Sequence, residues 1–205
     1  MVRQDVEDGK QRRRKQPLPV APSPNATDNP WISVNLSTRQ LEQDDLDDVV
    51  AAAISDSSLA AEHLVLEITE TAMMSNAADG TRRVQELRAL GVRIAIDDFG
   101  TGYSSLGYLH TFPVDILKID RTFISAASGG TGGSAMAKAI VQLGSTLRLQ
   151  TIAEGIEQAE LQDSLLGMGC EIGQGFLFSP PLELSLVRER LMAEGSTGLR
   201  VVSSA

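Results

Sequence analysis

The chain has 205 residues, 42% of them hydrophobic, which is enough to bury the core of one domain and short for two. No run approaches the about 18 consecutive apolar residues of a membrane span, and the basic N-terminal segment leads into prolines, which argues against a transmembrane helix and a signal peptide and points to the cytoplasm. The formal charge of −9 divides unevenly: residues 1–15 carry +3, leaving −12 elsewhere. Without aromatic residues between its charges, the basic run reads as a solvated tail and not as a site for duplex nucleic acid. The acidic remainder fits either cation-holding clusters or an ordinary solvated surface. A single cysteine, Cys170, cannot form an internal disulfide, and its apolar neighbours mark it as a structural thiol.

Residues 1–29 are rich in charge, proline, asparagine and serine, lack apolar periodicity, and read as a disordered or adventitious leader. From Trp31 onward short β-branched runs alternate with helical patterns. Strands are predicted over Ile32–Leu36, Leu64–Thr69, Arg93–Asp97, Ile116–Asp120, Thr151–Glu154 and Gly175–Phe178. Val84, Leu87 and Leu90 share one helix face that stops at Gly91, and Ala139, Ile140, Leu143 and Leu147 form a similar stripe. Repeated βα units imply a parallel sheet, either open and doubly wound or closed into a barrel. Periodicity does not choose between them. Polar residues at strand ends favour the barrel, because Asn35, Glu67, Asp97, Asp98, Lys118 and Glu154 would then converge on one face. The domain is expected over 30–195, with 196–205 a C-terminal tail.

The strongest local signal is Ile94 to Leu106, IAIDDFGTGYSSL, where an apolar strand runs into Asp97 and Asp98 and then a Gly-rich turn. Adjacent carboxylates repel and are most simply explained by a bound cation, although Asp98 as a turn cap is the alternative. Gly100 and Gly102 permit a tight loop, and Tyr103, Ser104 and Ser105 could start the next helix. LVLEITE places Glu67 and Glu70 around another strand end, and VNLS places Asn35 at an earlier one, where capping with Ser37 is the competing role. Oxygen donors of this kind, in a chain nearly free of His and Cys, suit magnesium or manganese better than zinc. Lys118 in ILKID would be a costly buried charge unless paired with carboxylates or a phosphate; otherwise it snorkels to the surface. Its replacement is expected to spare the fold. Glu154 in IAEGIE repeats the pattern of a carboxylate after an apolar run.

The segments VNLS, LEITE, DDFGTGYSSL, LKIDRTFI, IAEGIE and QGFLFSPPL, in this order from Trp31 to about Leu182, resemble the EAL family of bacterial cyclic di-GMP phosphodiesterases. The resemblance implies a (β/α)8 TIM-like barrel that cleaves one phosphodiester bond of cyclic di-GMP to give linear pGpG with two Mg²⁺ or Mn²⁺ ions. Carried over by position, Asn35, Glu67 and Asp97 would bind metal, Asp97 as the bridge, while Asp98 and Glu154 would serve the second ion or its water. Lys118 would hold the attacking water, Glu70 would anchor the DDFGTGYSSL loop, and Gln174 and Glu157 would lie near the nucleotide. Homodimers and neighbouring sensor or diguanylate cyclase domains are the partners it suggests.

The sequence departs from the family at its N-terminal end. The Glu-Ala-Leu motif and the arginine that follows it have no counterpart in residues 1–29, so the barrel is expected to be incomplete, lacking about the first two strands and their helices. Against a barrel of about 250 residues, roughly 80 are missing. Three readings follow: an enzyme completed by another segment or chain, a catalytically inactive module that binds cyclic di-GMP or a protein, and a non-functional remnant. Retained acidic residues and Lys118 favour the first.

Overall fold

A computed structural model describes residues 31–74, 77–101, 109, 112–124, 131–193 and 200–202. Their strands form a single all-parallel sheet in chain order: β1 (Ile32–Leu36), β2 (Leu64–Thr69), β3 (Arg93–Phe99), β4 (Ile116–Ile119), β5 (Gln150–Ala153), β6 (Ile172–Gln174) and β7 (Arg200–Val202). Each strand pairs with the next, from Ile32 beside Leu64 to Gln174 beside Val202. A doubly wound sheet reverses its strand order at a switch point. This one does not, and the architecture is an incomplete (β/α) barrel whose sheet curls around one concave face.

Helices α1 (Thr38–Leu41), α2 (Leu46–Ser57), α3 (Glu70–Met74), α4 (Ala77–Ala89), α5 (Thr131–Leu147), α6 (Ala159–Met168) and α7 (Leu184–Ala193) punctuate the strands. The Ser37 side chain caps α1, accepting the Gln40 amide N–H while the Gln40 side chain accepts the Ser37 N–H.

Successive strand residues face opposite sides of the sheet, and two separate apolar clusters follow from that alternation. Leu66, Ile68, Ile94, Ile96, Leu117 and Ile119 pack outward against helix residues such as Val84, Leu87, Ala137 and Ile140. At alternate positions Val65, Ala95, Ile116, Ile152 and Ile172 form a second cluster made of strand residues, with Trp31 packed against it. These five line the floor of the concave face. Arg93 stacks over the Trp31 ring, 4.8 Å from its centroid, at the same end. Each fully buried aliphatic side chain contributes about 1.5–3 kcal/mol, so both clusters hold the curl.

Several expectations change. The strand predicted over Gly175–Phe178 is a turn, and Ile172–Gln174 immediately before it is the strand. Close backbone contact is the reason: a Cβ on Gly175 would stand 2.1 Å from the Ile156 carbonyl oxygen, and Leu177 N–H donates to that oxygen at 3.0 Å. In α5 the buried face is Ala137, Ile140 and Val141; Ala139 is exposed. Strand β3 runs on to Phe99, whereas β4 and β5 end one residue before Asp120 and Glu154. Arg200–Val202, within the segment expected as a tail, pairs with β6. Tyr103, Ser104, Ser105 and the leader 1–29 lie outside the described residues. Cys170 is buried, and burial pushes its thiol above the ordinary value, as suits an unreactive structural cysteine.

The Gly175 contact gives a paired test. Gly175→Ala should lower stability by about 1–3 kcal/mol, because backbone on both sides must shift. Gly167→Ala in α6, where a Cβ meets nothing within 4 Å, should raise it by about 0.5–1 kcal/mol. Urea midpoints of the two variants check both signs.

Candidate active site

Two residues beyond each floor position, toward the C-terminal strand ends, the same face becomes polar. Glu67 follows Val65, Asp97 follows Ala95, Lys118 follows Ile116, Glu154 follows Ile152 and Gln174 follows Ile172. Asn35 takes the corresponding place on β1, in register with Glu67. The i+2 step therefore converts an apolar layer into a ring of functional groups at the barrel mouth, where such folds carry their chemistry.

Lys118 is the centre of that ring. Its side chain is 0% exposed, and Nζ lies 2.8 Å from Glu67 Oε2, 2.9 Å from Asp97 Oδ1 and 2.6 Å from Glu154 Oε1. An ammonium has three N–H donors, and three carboxylates surround this one. Asp98 stands beside them: one carboxylate oxygen from each of Asp97, Asp98 and Glu154 falls within 4.8 Å of the others. At full ionisation the four carboxylates leave three negative charges beyond what Lys118 neutralises, which favours a divalent cation among them. Their hard oxygen donors fit such an ion.

The loop after β3 is tied in place from below. Glu70, buried at the start of α3, accepts the Gly100 N–H through Oε2 at 3.0 Å. Asp98 has left-handed backbone geometry, φ 54°, with its own N–H donating to Asp97 Oδ1 at 3.1 Å and its carbonyl accepting the Thr101 hydroxyl at 2.8 Å. Gln174 is buried at the end of β6, and its Oε1 has no hydrogen-bond partner among the described residues. Glu157 is exposed, three residues past Glu154 and outside the carboxylate cluster. Asp120, which the sequence reading did not single out, follows Lys118 by the same i+2 step; its Oδ1 accepts the Thr122 N–H at 2.9 Å and starts a helical turn over 121–124. A carboxylate closing the ILKID run was the available signal.

Fold and mouth together define a (β/α)-barrel domain with an acidic, cation-compatible site around a buried lysine. The sequence profile described as the EAL domain matches residues 14–181, and the chain belongs to that family. The bifunctional diguanylate cyclase/cyclic di-GMP phosphodiesterase MucR of Pseudomonas aeruginosa is 45% identical over 151 residues, 74% of this chain and 22% of MucR. A structure of the MucR phosphodiesterase in complex with c-di-GMP superimposes with TM-score 0.74, covering 77% of this chain and 64% of that one. The EAL domain of Mycobacterium smegmatis DcpA is 36% identical with TM-score 0.77, covering 80% and 74% respectively. BlrP1 of Klebsiella pneumoniae, solved with manganese and cyclic di-GMP, is 28% identical with TM-score 0.68, covering 73% and 38%. The chain spans about a fifth of the length of the curated relatives it matches.

The geometry reverses the expectation that Lys118 can be replaced without cost to the fold. Removing one partner of a buried ionic cluster costs about 3–5 kcal/mol, because the remaining charges stay buried. Lys118→Met should therefore unfold at markedly lower urea than the parent in EDTA, and Mn²⁺ should restore part of the loss by joining the freed carboxylates; an unchanged midpoint contradicts the ionic role. For the cation itself, Asp97→Asn should weaken Mn²⁺ binding at least tenfold in titration calorimetry while circular dichroism stays that of the parent, about the loss expected when a metal shell is altered.

Proposed function

We propose that this domain is a metal-dependent cyclic di-GMP phosphodiesterase that releases linear pGpG. The observation that carries the reading is Lys118 held by Glu67, Asp97 and Glu154, with Asp98 completing a carboxylate cluster beside it. Mg²⁺ or Mn²⁺ is the cation class, bound by Asn35, Glu67 and Asp97 with Asp98 and Glu154 serving a second ion. Bound there, the ions supply an acidified water and a positive field for phosphate oxygens.

The chain's own residues do the rest. Lys118 gives up one of its three carboxylate contacts to donate to the attacking water, and the two that remain orient it toward phosphorus. Glu154, with Asp98 beside it, borders the same space and accepts the proton that the water gives up. As the water oxygen bonds to phosphorus, the bond from phosphorus to the ribose 3′ oxygen breaks; that oxygen takes a proton, and the product carries a 5′ phosphate. Glu70 keeps the Asp97–Gly100 segment in place through the Gly100 N–H. Gln174 Oε1 accepts an N–H from a guanine edge, relieving a buried acceptor whose isolation costs about 1–3 kcal/mol. Glu157, exposed three residues past Glu154, contacts the nucleotide from the rim.

Full activity on this reading needs the sheet completed beyond β1, which pairs only with β2 among the described residues. An open edge invites another strand, supplied by a further segment, a sensor or cyclase domain, or a second copy in a homodimer. This open edge favours a second reading, a module that binds cyclic di-GMP without cleaving it. Cytoplasmic action is part of the proposal; its support is a buried free Cys170, and no helix among the described residues is long and apolar enough to cross a membrane.

Incubation of the 205-residue chain with cyclic di-GMP and Mn²⁺, followed by chromatography of pGpG, tests the reading. Binding with turnover at least 100-fold below a complete family domain is expected, since about 3 kcal/mol of lost transition-state stabilisation has that effect. Undiminished turnover refutes the need for completion, and absence of any cyclic di-GMP binding refutes the function.

A further inference from the structure

A mouth lined by carboxylates repels the phosphates of a cyclic dinucleotide, and Lys118 is already surrounded by three anions. Among the described elements, cations that could meet the ligand come from the segments following the strand C-terminal ends. Between β1 and α2, and after β2, β3, β4, β5 and β6 up to the next helix, the sequence offers only Arg39 and Arg121. Arg39 is exposed and lies in α1. Arg121 lies two residues past the end of β4.

The base of Arg121 is clamped from two sides. Asp120 Oδ1 accepts the Thr122 N–H at 2.9 Å and the Asp120 carbonyl accepts the Phe123 N–H at 3.1 Å, so the helical turn over 121–124 starts in a fixed direction. Phe123 packs on Gly100 in the loop after β3, its ring 2.8 Å from where a Cβ would sit. Arg121 packs on Gly155 in the loop after β5; a Cβ there would stand 2.5 Å from Arg121 Cβ and 3.6 Å from its Cδ. Gly155, at φ 69°, directly follows Glu154, whose carboxylate touches Lys118. The aliphatic stem of Arg121 thus runs along the loop that delivers a cluster carboxylate. Its side chain is exposed and makes no hydrogen bond or ion pair among the described residues.

We propose that Arg121 is a substrate-binding residue, its guanidinium donating to a phosphate oxygen of the cyclic dinucleotide at the mouth; this rests on the phosphodiester reading above. A planar guanidinium on a pre-set stem suits a phosphate oxygen pair better than a flexible ammonium does. Arg121→Ala keeps the Cβ that packs closest to Gly155, and the exposed guanidinium carries no fold contact, so its loss should change stability and Mn²⁺ affinity little.

Titration of the full chain with cyclic di-GMP in Mn²⁺ tests the role. Arg121→Ala should raise Kd at least tenfold, with parent-like urea and Mn²⁺ titrations, and weaken the dependence of Kd on salt, because one screened charge pair is lost. Arg121→Lys should recover part of the affinity and the salt slope, whereas Arg39→Ala should change Kd less than threefold. Equal Kd and salt slope for Arg121→Ala and the parent overturn the Arg121 role and leave the function reading standing. No binding by the parent overturns that reading and this role with it.

Discussion

A lysine ammonium with no solvent exposure is untenable alone, and at Lys118 the fold supplies three carboxylates to offset it. Those groups come from β2, β3 and the end of β5. In a flat sheet with strands about 4.8 Å apart, β2 and β5 would lie roughly 14 Å from each other. Both reach one nitrogen because the sheet curls. The ion cluster and the curvature therefore imply each other, and the cluster also fixes register: a slip of one residue would send Lys118 outward among Leu117, Ile119 and the helices. A buried ionic group adds little net stability over a well-packed apolar one, so its contribution is to specify one arrangement of strands.

Much of this was legible in the chain, for a physical reason. Parallel strands buried on both faces read as apolar runs, and β1 and β2 have the bounds their runs predict. A polar residue ending such a run marks the mouth, which is how Asn35, Glu67, Asp97, Lys118 and Glu154 stood out. The failures are equally instructive. Ile172–Gln174 is a three-residue strand containing Gly173, weaker in β pattern than the GFLF that follows; packing of Gly175 on the Ile156 backbone, invisible in the sequence, decided the boundary. The partners of Lys118 were out of reach as well, since Glu67 is 51 residues away in the chain. Strand order, and hence barrel over open sheet, is a property of pairing that periodicity does not contain.

The two apolar layers divide the labour of the sheet. The outer layer, from Leu66 to Ile119, binds sheet to helices; the inner floor of Val65, Ala95, Ile116, Ile152 and Ile172 sets the height at which the polar ring stands. Close packing transmits volume changes of even one methylene. A floor residue one size larger would lift Asp97 or Lys118 without touching a functional atom, and sites that rely on fixed geometry are sensitive to such displacement.

Adjacent aspartates pose the remaining problem. In a regular strand Asp97 and Asp98 would point to opposite faces, one to the mouth and one to the helices. Both nonetheless place an oxygen in the same cluster with Glu154. The backbone resolves this by leaving β geometry at that step: Asp98 is left-handed, and the register of β3 against β4 shifts between Ile96 and Phe99. A non-glycine residue in that region bears a cost of about 1 kcal/mol or more, tolerated when the surroundings fix it. Here the Thr101 hydroxyl, the Asp97 carboxylate and the Glu70 hold on Gly100 do so. Asp98 therefore serves the cluster only while Glu70 and Thr101 hold the turn, which makes these two residues part of what positions the carboxylates.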